Sequence, residues 1–139
     1  MIFKIKKLYP DTKVPERAHS SDAGLDVFAY EDTLVPRGEQ VAVQTGFCAT
    51  LPKGYVALVW DKSSIASKGI KTLGGVIDAG YTGEYKILVR NLSDADFTFA
   101  KGQKVAQLLI QKVEFLPVEE VLELGETSRG EGAFGSTGV

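Results

Sequence analysis

The chain has 139 residues and a mass of 15.0 kDa, with 44% hydrophobic and 24% charged residues and a formal net charge of −2. This length suits one domain, and the charge balance leaves no basic footprint for nucleic acid or an anionic membrane. One Cys and one His cannot form an intrachain disulfide or a zinc site of the usual kind, so a reducing, intracellular and cytoplasmic setting is expected, with no signal peptide and no membrane span.

In chain order, IFKIKKL (2–8) alternates in the manner of a strand. SSDAGLDVFA (20–29) carries two acids, Asp22 and Asp26. Asp26 sits among Leu25, Val27 and Phe28, which predicts a partly buried carboxylate with a partner. The residues leave open whether that partner is a structural cation or something related to a metal. His19 is expected at the surface. VAVQTGF (41–47) and YVALVW (55–60) are rich in β-branched and aromatic residues and read as strands. VPRGE (35–39) and LPKGY (51–55) place Pro before Gly, a common turn order. Cys48 lies in a strand-like run and reads as core rather than nucleophile.

KSSIASKG (62–69) breaks the strand pattern. Hydroxyls stand where a helix would begin and Gly69 where it would stop, predicting one or two helical turns. The N–H groups there, with Lys62, Ser63 and Ser64, form either a capped helix start or an anion site. GGVIDAGYTGE (74–84) suggests a β-hairpin with Tyr81 near its tip. Asp78 follows apolar Val76 and Ile77, so it is either a turn former or a base holding a water beside a cavity.

YKILVRNL (85–92), FTF (97–99) and KVAQLLIQKVEF (104–115) complete the strands, divided by the turns LSDAD and AKGQ. Gln107 is the polar exception in its strand, and a buried amide needs partners. The acidic run VEEVLELGE (118–126) ends the body. RGEGAFGSTG (129–138) follows, with four glycines, one ring and one guanidinium; it cannot bury enough apolar surface to fold alone. Many short strands with frequent turns and one short helix predict an all-β sandwich or jelly roll. There is no G-x-x-x-x-G-K-[ST] loop, no G-x-G-x-x-G opening a βαβ unit and no G-x-S-x-G elbow.

Five of these stretches, in this order, resemble the motifs of the homotrimeric dUTP pyrophosphatases: AGLDVFA (23–29), KSSIA (62–66), GVIDAGYTGE (75–84), GQKVAQL (102–108) and RGEGAFGSTG (129–138). The resemblance implies a jelly-roll-like β-barrel over residues 1–128 and a mobile arm over 129–139 that closes on the active site. It implies a homotrimer whose sites are shared between subunits, with dUTP as substrate and Mg²⁺ on the triphosphate. The implied reaction yields dUMP and pyrophosphate, which keeps uracil out of DNA and supplies dUMP for dTTP synthesis.

Position by position, Asp78 matches the acid that orients the attacking water. Tyr81 matches the residue under the sugar that leaves no room for a 2′-hydroxyl. The segment 73–86, including Gly75, Val76, Ile77, Glu84, Tyr85 and Lys86, matches the hairpin that reads uracil. Lys62, Ser63, Ser64 and Gln107 match phosphate contacts, and Asp26 matches an acid that meets the metal through bound water. Arg129, Ser136 and Thr137 match γ-phosphate ligands, and Phe134 with Gly135 the part of the arm that covers the base.

The chain departs from the family pattern at Lys62, where Arg is usual, and at Glu131 and Ala133 in the arm. Lysine keeps the charge but loses the bidentate fork. Thr72 stands where some relatives place an Asn beside the base, so uracil is expected to be read by backbone groups. Two other readings have sequence motives. A dCTP deaminase on the same fold would need an acid in the strand Tyr85–Asn91, which has none. A non-catalytic nucleotide binder is the reading suggested by Lys62 and the arm substitutions.

Overall fold

The computed structural model describes residues 2–133. Eleven strands and one helical turn follow one another: β1 (Lys4–Lys7), β2 (Leu25–Phe28), β3 (Thr33–Val35), β4 (Gln40–Val43), β5 (Phe47–Thr50), β6 (Tyr55–Asp61), α1 (Ser63–Ala66), β7 (Ile70–Thr72), β8 (Val76–Asp78), β9 (Ile87–Asn91), β10 (Phe97–Phe99) and β11 (Lys104–Lys112). They form small sheets ordered β1-β5, β10-β3, β2-β11-β6-β8 and β4-β9-β7, with every pairing antiparallel. This is the jelly-roll-like, nearly all-β architecture expected.

The core shows why these runs are strands. In β9, Ile87, Val89 and Asn91 point inward while Leu88 and Arg90 face out, the period-2 signature of a half-buried strand. All four residues of β2 are buried, so that strand lacks alternation and was not visible from periodicity. Val27, Phe28, Phe47, Ile87, Phe99, Val105 and Leu108 fill the interior. The one buried amide of β9, Asn91, donates to the carbonyls of Val35 (3.0 Å) and Ala95 (2.8 Å), tying β9 to β3 and to the β9–β10 turn.

Three expectations need correction. The run 41–47 is not one strand. Thr45 is buried, with its hydroxyl donating to Tyr85 O at 2.7 Å, and Gly46 takes φ 73°, so the chain bends there into β4 and β5. The last long strand stops at Lys112 rather than at 115, and residues 114–131 are exposed throughout. The segment 74–84 forms no hairpin of its own. Its single strand, β8, pairs with β6, while β7 before it crosses to β9.

The short helix forms as expected, and Gly69 lies just past it with φ 79°. Cys48 is half-buried in β5, and His19 is exposed. No helix among the described residues is long and apolar enough to cross a membrane.

Candidate active site

The edge strand β8 and the turn after it carry the first half of the site. Gly74 (φ 66°) and Gly75 (φ 110°) let the chain drop onto β6: Val59 N donates to Gly75 O at 2.8 Å, and a Cβ on Gly75 would lie 3.0 Å from Val59 O. Val76, Ile77 and Asp78 then pair with Leu58, Ala57 and Val56. β8 is the last strand of its sheet, so its other edge keeps unpaired backbone donors and acceptors.

Beside it lies a cavity of about 310 Å³ lined by Val76, Ile77, Asp78, Tyr81, Glu84, Tyr85 and Lys86. Every residue of that lining was expected at the substrate site. The Asp78 carboxylate is exposed at its edge, and Tyr81 N donates to Asp78 O at 3.0 Å to close the turn. Gly75 faces a neighbouring groove with Trp60 and Thr72. The exposed ring of Trp60 was not anticipated.

The second half gathers around the start of α1. The N-cap is Lys62, in extended geometry and without any side-chain cap. Simple serine capping is therefore not what Ser63 and Ser64 do. Their N–H groups precede the first intrahelical bonds, from Ile65 and Ala66 to Lys62 O, and both residues are exposed. Gln107 donates through Nε2 to Asp61 O at 2.9 Å, just before this turn. A Cβ on Gly24 would stand 2.2 Å from Gln107 Oε1, so glycine is needed there for the amide to pass. The Asp61 carboxylate accepts from Thr72 N (2.8 Å) and Thr72 Oγ1 (2.7 Å) and pairs with Lys71, which pins this end of β6 to β7.

Asp26 is buried, with its carboxylate held between two ammonium groups: Lys62 at 2.9 Å on Oδ1 and Lys104 at 2.6 Å on Oδ2. The partner is a pair of cations, and Lys104 was not singled out from the sequence, although it lies in the quoted GQKVAQL stretch. Burial pushes the Asp26 carboxyl up, but the bonds from Lys104 and Lys62 outweigh it and hold it below the ordinary value of 3.8. A depressed folded value adds stability that is present above the ordinary value and lost as pH falls through the depressed one. Asp26→Asn is therefore expected to cost about 2 kcal/mol at pH 7. That is below the figure for a fully buried pair, since Lys104 is partly exposed. The gap to wild type should close progressively below pH 3.8, read by urea denaturation across pH. A constant gap would mean that packing, not charge, sets the cost.

The two halves do not meet within one chain. Asp78 stands opposite Val56 on one side of β6, and Gln107 opposite Trp60 on the other. Four residues of strand rise and two strand spacings put them about 16 Å apart. A base and the phosphate it serves must be within one water of each other. Arg129 is exposed, donating through Nε to Gly132 O at 2.8 Å. Phe134, Gly135, Ser136 and Thr137 lie outside the described residues.

The dUTPase family model matches residues 11–138. A deoxyuridine 5′-triphosphate nucleotidohydrolase of Clostridioides difficile is 41% identical over 138 residues, covering 97% of this chain and 96% of the relative. One from Paramecium bursaria Chlorella virus 1 is 39% identical over 136 residues, covering 97% and 96%. Among solved structures, a dUTPase of Staphylococcus bacteriophage 80alpha bound to dUpNHpp is similar with a TM-score of 0.93 at 28% identity, covering 99% of both chains. A phage phi11 dUTPase, described with a structural Mg(II) ion, gives 0.81 at 27% identity over 88% of this chain and 98% of its own.

Proposed function

The chain belongs to the dUTPase family and hydrolyses dUTP to dUMP and pyrophosphate; from that premise we propose how its residues divide the reaction. The observation that carries the reading is the cavity beside β8, whose lining joins an exposed carboxylate, an aromatic ring and the free backbone edge of a strand. The free edge of β8 offers N–H and C=O groups to the Watson–Crick edge of uracil. Tyr81 lies under the deoxyribose and leaves no room for a 2′-hydroxyl. Asp78 holds the attacking water and takes its proton as it adds to the α-phosphorus. Ser63, Ser64, Gln107 and Lys62 hold the phosphate oxygens, with the open N–H groups at the start of α1 adding positive potential.

These phosphate contacts come from a second subunit, because one chain keeps them about 16 Å from its own Asp78. A trimer with three shared sites supplies the missing half by symmetry. The arm from Arg129 onward, residues 129–139, closes the site, with Phe134 and Gly135 over the base and Arg129, Ser136 and Thr137 on the γ-phosphate. Lys62 keeps its ammonium beside Asp26 until a triphosphate competes for it.

Among the described residues no group of three His, Cys, Asp or Glu side chains converges to cage a metal. The fit for Mg²⁺ is an indirect one. Each Asp26 oxygen binds one lysine and retains a lone pair that can accept from a metal-bound water. Bound on the triphosphate, the ion would supply charge neutralisation there.

The test is a panel assay of dUTP, dCTP, dTTP and UTP with Mg²⁺, for the full chain and for a chain ending at Ser128. A strong dUTP preference, nearly abolished by the truncation, is expected. Equal turnover of all four would sink the substrate assignment, and an active truncated chain would sink the role given to the arm. Release of uracil-ring product from dCTP would favour the deaminase reading.

A further inference from the structure

The turn that carries Tyr81 is tied inward at several points, and the Glu84 carboxylate also pairs with Lys86 of the cavity lining at 3.7 Å. Tyr81 Oη donates to Glu84 O at 3.0 Å, so the ring folds back over its own turn. That path needs glycine at 83, where a Cβ would stand 2.5 Å from Tyr81 Oη and 2.6 Å from Cζ. The Glu84 carboxylate accepts the N–H of Gly46 at 2.9 Å, joining the turn to the bend between β4 and β5. Gly46 is itself anchored, its carbonyl accepting from Thr12 Oγ1 at 2.9 Å and Leu8 N at 2.8 Å. Its φ is 73°, and a Cβ there would meet Thr12 Oγ1 at 2.7 Å and the Tyr30 ring at 2.9 Å. Thr45 Oγ1, in the same bend, donates to Tyr85 O.

Behind Tyr81 stands the Tyr85 ring, 1% exposed, with centroids 6.0 Å apart. Phe47 (5.3 Å) and Phe3 (6.4 Å) close in on Tyr85 from the core. Its hydroxyl is buried with no hydrogen-bond partner among the described residues.

Both side chains border the cavity, and each also braces the Tyr81 turn from within the fold. We propose that Glu84 and Tyr85 are positioning residues for Tyr81, and that the choice of deoxyribose over ribose is set by this inward-facing Gly46–Glu84–Tyr85 support. The inference rests on the reading of Tyr81 as the residue under the sugar. A rigid ring can exclude one hydroxyl, whereas a ring free to swing admits it, and displacement of the order of 1 Å at such a contact is costly. Packing that fixes the rotamer of a site residue is what gives such a contact its precision.

The experiment measures kcat/KM for dUTP and for UTP, with Mg²⁺, on the full chain. Glu84→Ala and Tyr85→Leu should each lower the dUTP-over-UTP ratio about tenfold or more. Glu84→Gln keeps an acceptor oxygen for the Gly46 N–H and Tyr85→Phe keeps the ring, so both should hold the ratio near wild type. A purely structural role would lower the melting temperature and leave the ratio in place. That result in folded Glu84→Ala and Tyr85→Leu overturns the proposal. Should those two variants fail to fold, Gly83→Ala decides. It sits in an open turn without left-handed φ, and its methyl must displace the Tyr81 ring. A lowered ratio supports the proposal and an unchanged one overturns it. A wild-type enzyme with no preference for dUTP over UTP would take down the Tyr81 reading and this inference together, whereas a preference kept by every variant removes only the inference.

Discussion

Replacing Asp78 by Asn should lower kcat for dUTP by between about a hundredfold and ten thousandfold, the range that a positioned general base contributes. KM should change little. The amide is nearly isosteric and still accepts a hydrogen bond, so it can hold the water, but it cannot take the proton. The structure makes this a clean substitution. Asp78 is exposed at the end of β8, and no ion pair to its carboxylate is formed among the described residues. Its structural contribution is a backbone one, through the turn bond from Tyr81 N. Circular dichroism and melting temperature should therefore match wild type. Steady-state kinetics on dUTP with kcat within tenfold of wild type would show that another group activates the water.

The residues around Asp78 left it open between a turn former and a base, and the family resemblance rather than the local pattern singled it out. Much of the fold was legible in local patterns. β6, β9 and most of β11 declare themselves by period-2 alternation or β-branched content, and Gly38, Gly54 and Gly69 mark turns at the left-handed φ they adopt. The elements that escaped are those whose pattern depends on partners distant in sequence. All four residues of β2, which pairs along its edge with β11, are buried, so it shows no alternation. β8 looked like half of a local hairpin, but its hydrogen bonds go to β6, some twenty residues earlier, because the Gly74–Gly75 pair allows a close approach to Val59.

The site divides in the same way. Its motifs could be read one at a time, and their residue types fit base, sugar and phosphate contacts. The supports could not. Lys104 reaches Asp26 only across the β2–β11 pairing, and Glu84 reaches Gly46 over a separation of 38 residues. Gly24 and Gly83 carry no functional group. Their value is the space a Cβ would take from Gln107 and from Tyr81. Such residues become visible only when the backbone brings two motifs together. The sequence pointed to Glu84 and Tyr85 as substrate contacts; both border the cavity, and their bonding and burial support the positioning role proposed for them.

The separation of Asp78 from the phosphate group leads to the second large effect. A variant lacking Asp78 (Asp78→Ala) and one lacking the phosphate contacts (Ser63→Ala with Gln107→Ala) should each be nearly inactive as pure trimers. Mixed by co-refolding or subunit exchange, they should regain activity. If each site takes Asp78 from one subunit and Ser63 and Gln107 from a neighbour, a site is intact whenever an Asp78-bearing chain meets a neighbour with its serine and glutamine. For random equal mixing around a cyclic trimer this gives about a quarter of wild-type turnover. A site built within one chain predicts no recovery, since every chain would then lack one half. The geometry favours recovery: β6 separates Asp78 from Gln107 by about 16 Å, and the intervening β6–β11 register runs unbroken from Tyr55 to Asp61, so no local shift can bring them together. The β6–β8 pairing would have to be lost first, and with it the cavity that Asp78 borders. Mixed samples with no activity above the pure variants, while light scattering shows folded trimers, would place the whole site on one subunit. A monomer at micromolar concentration would remove the shared site altogether.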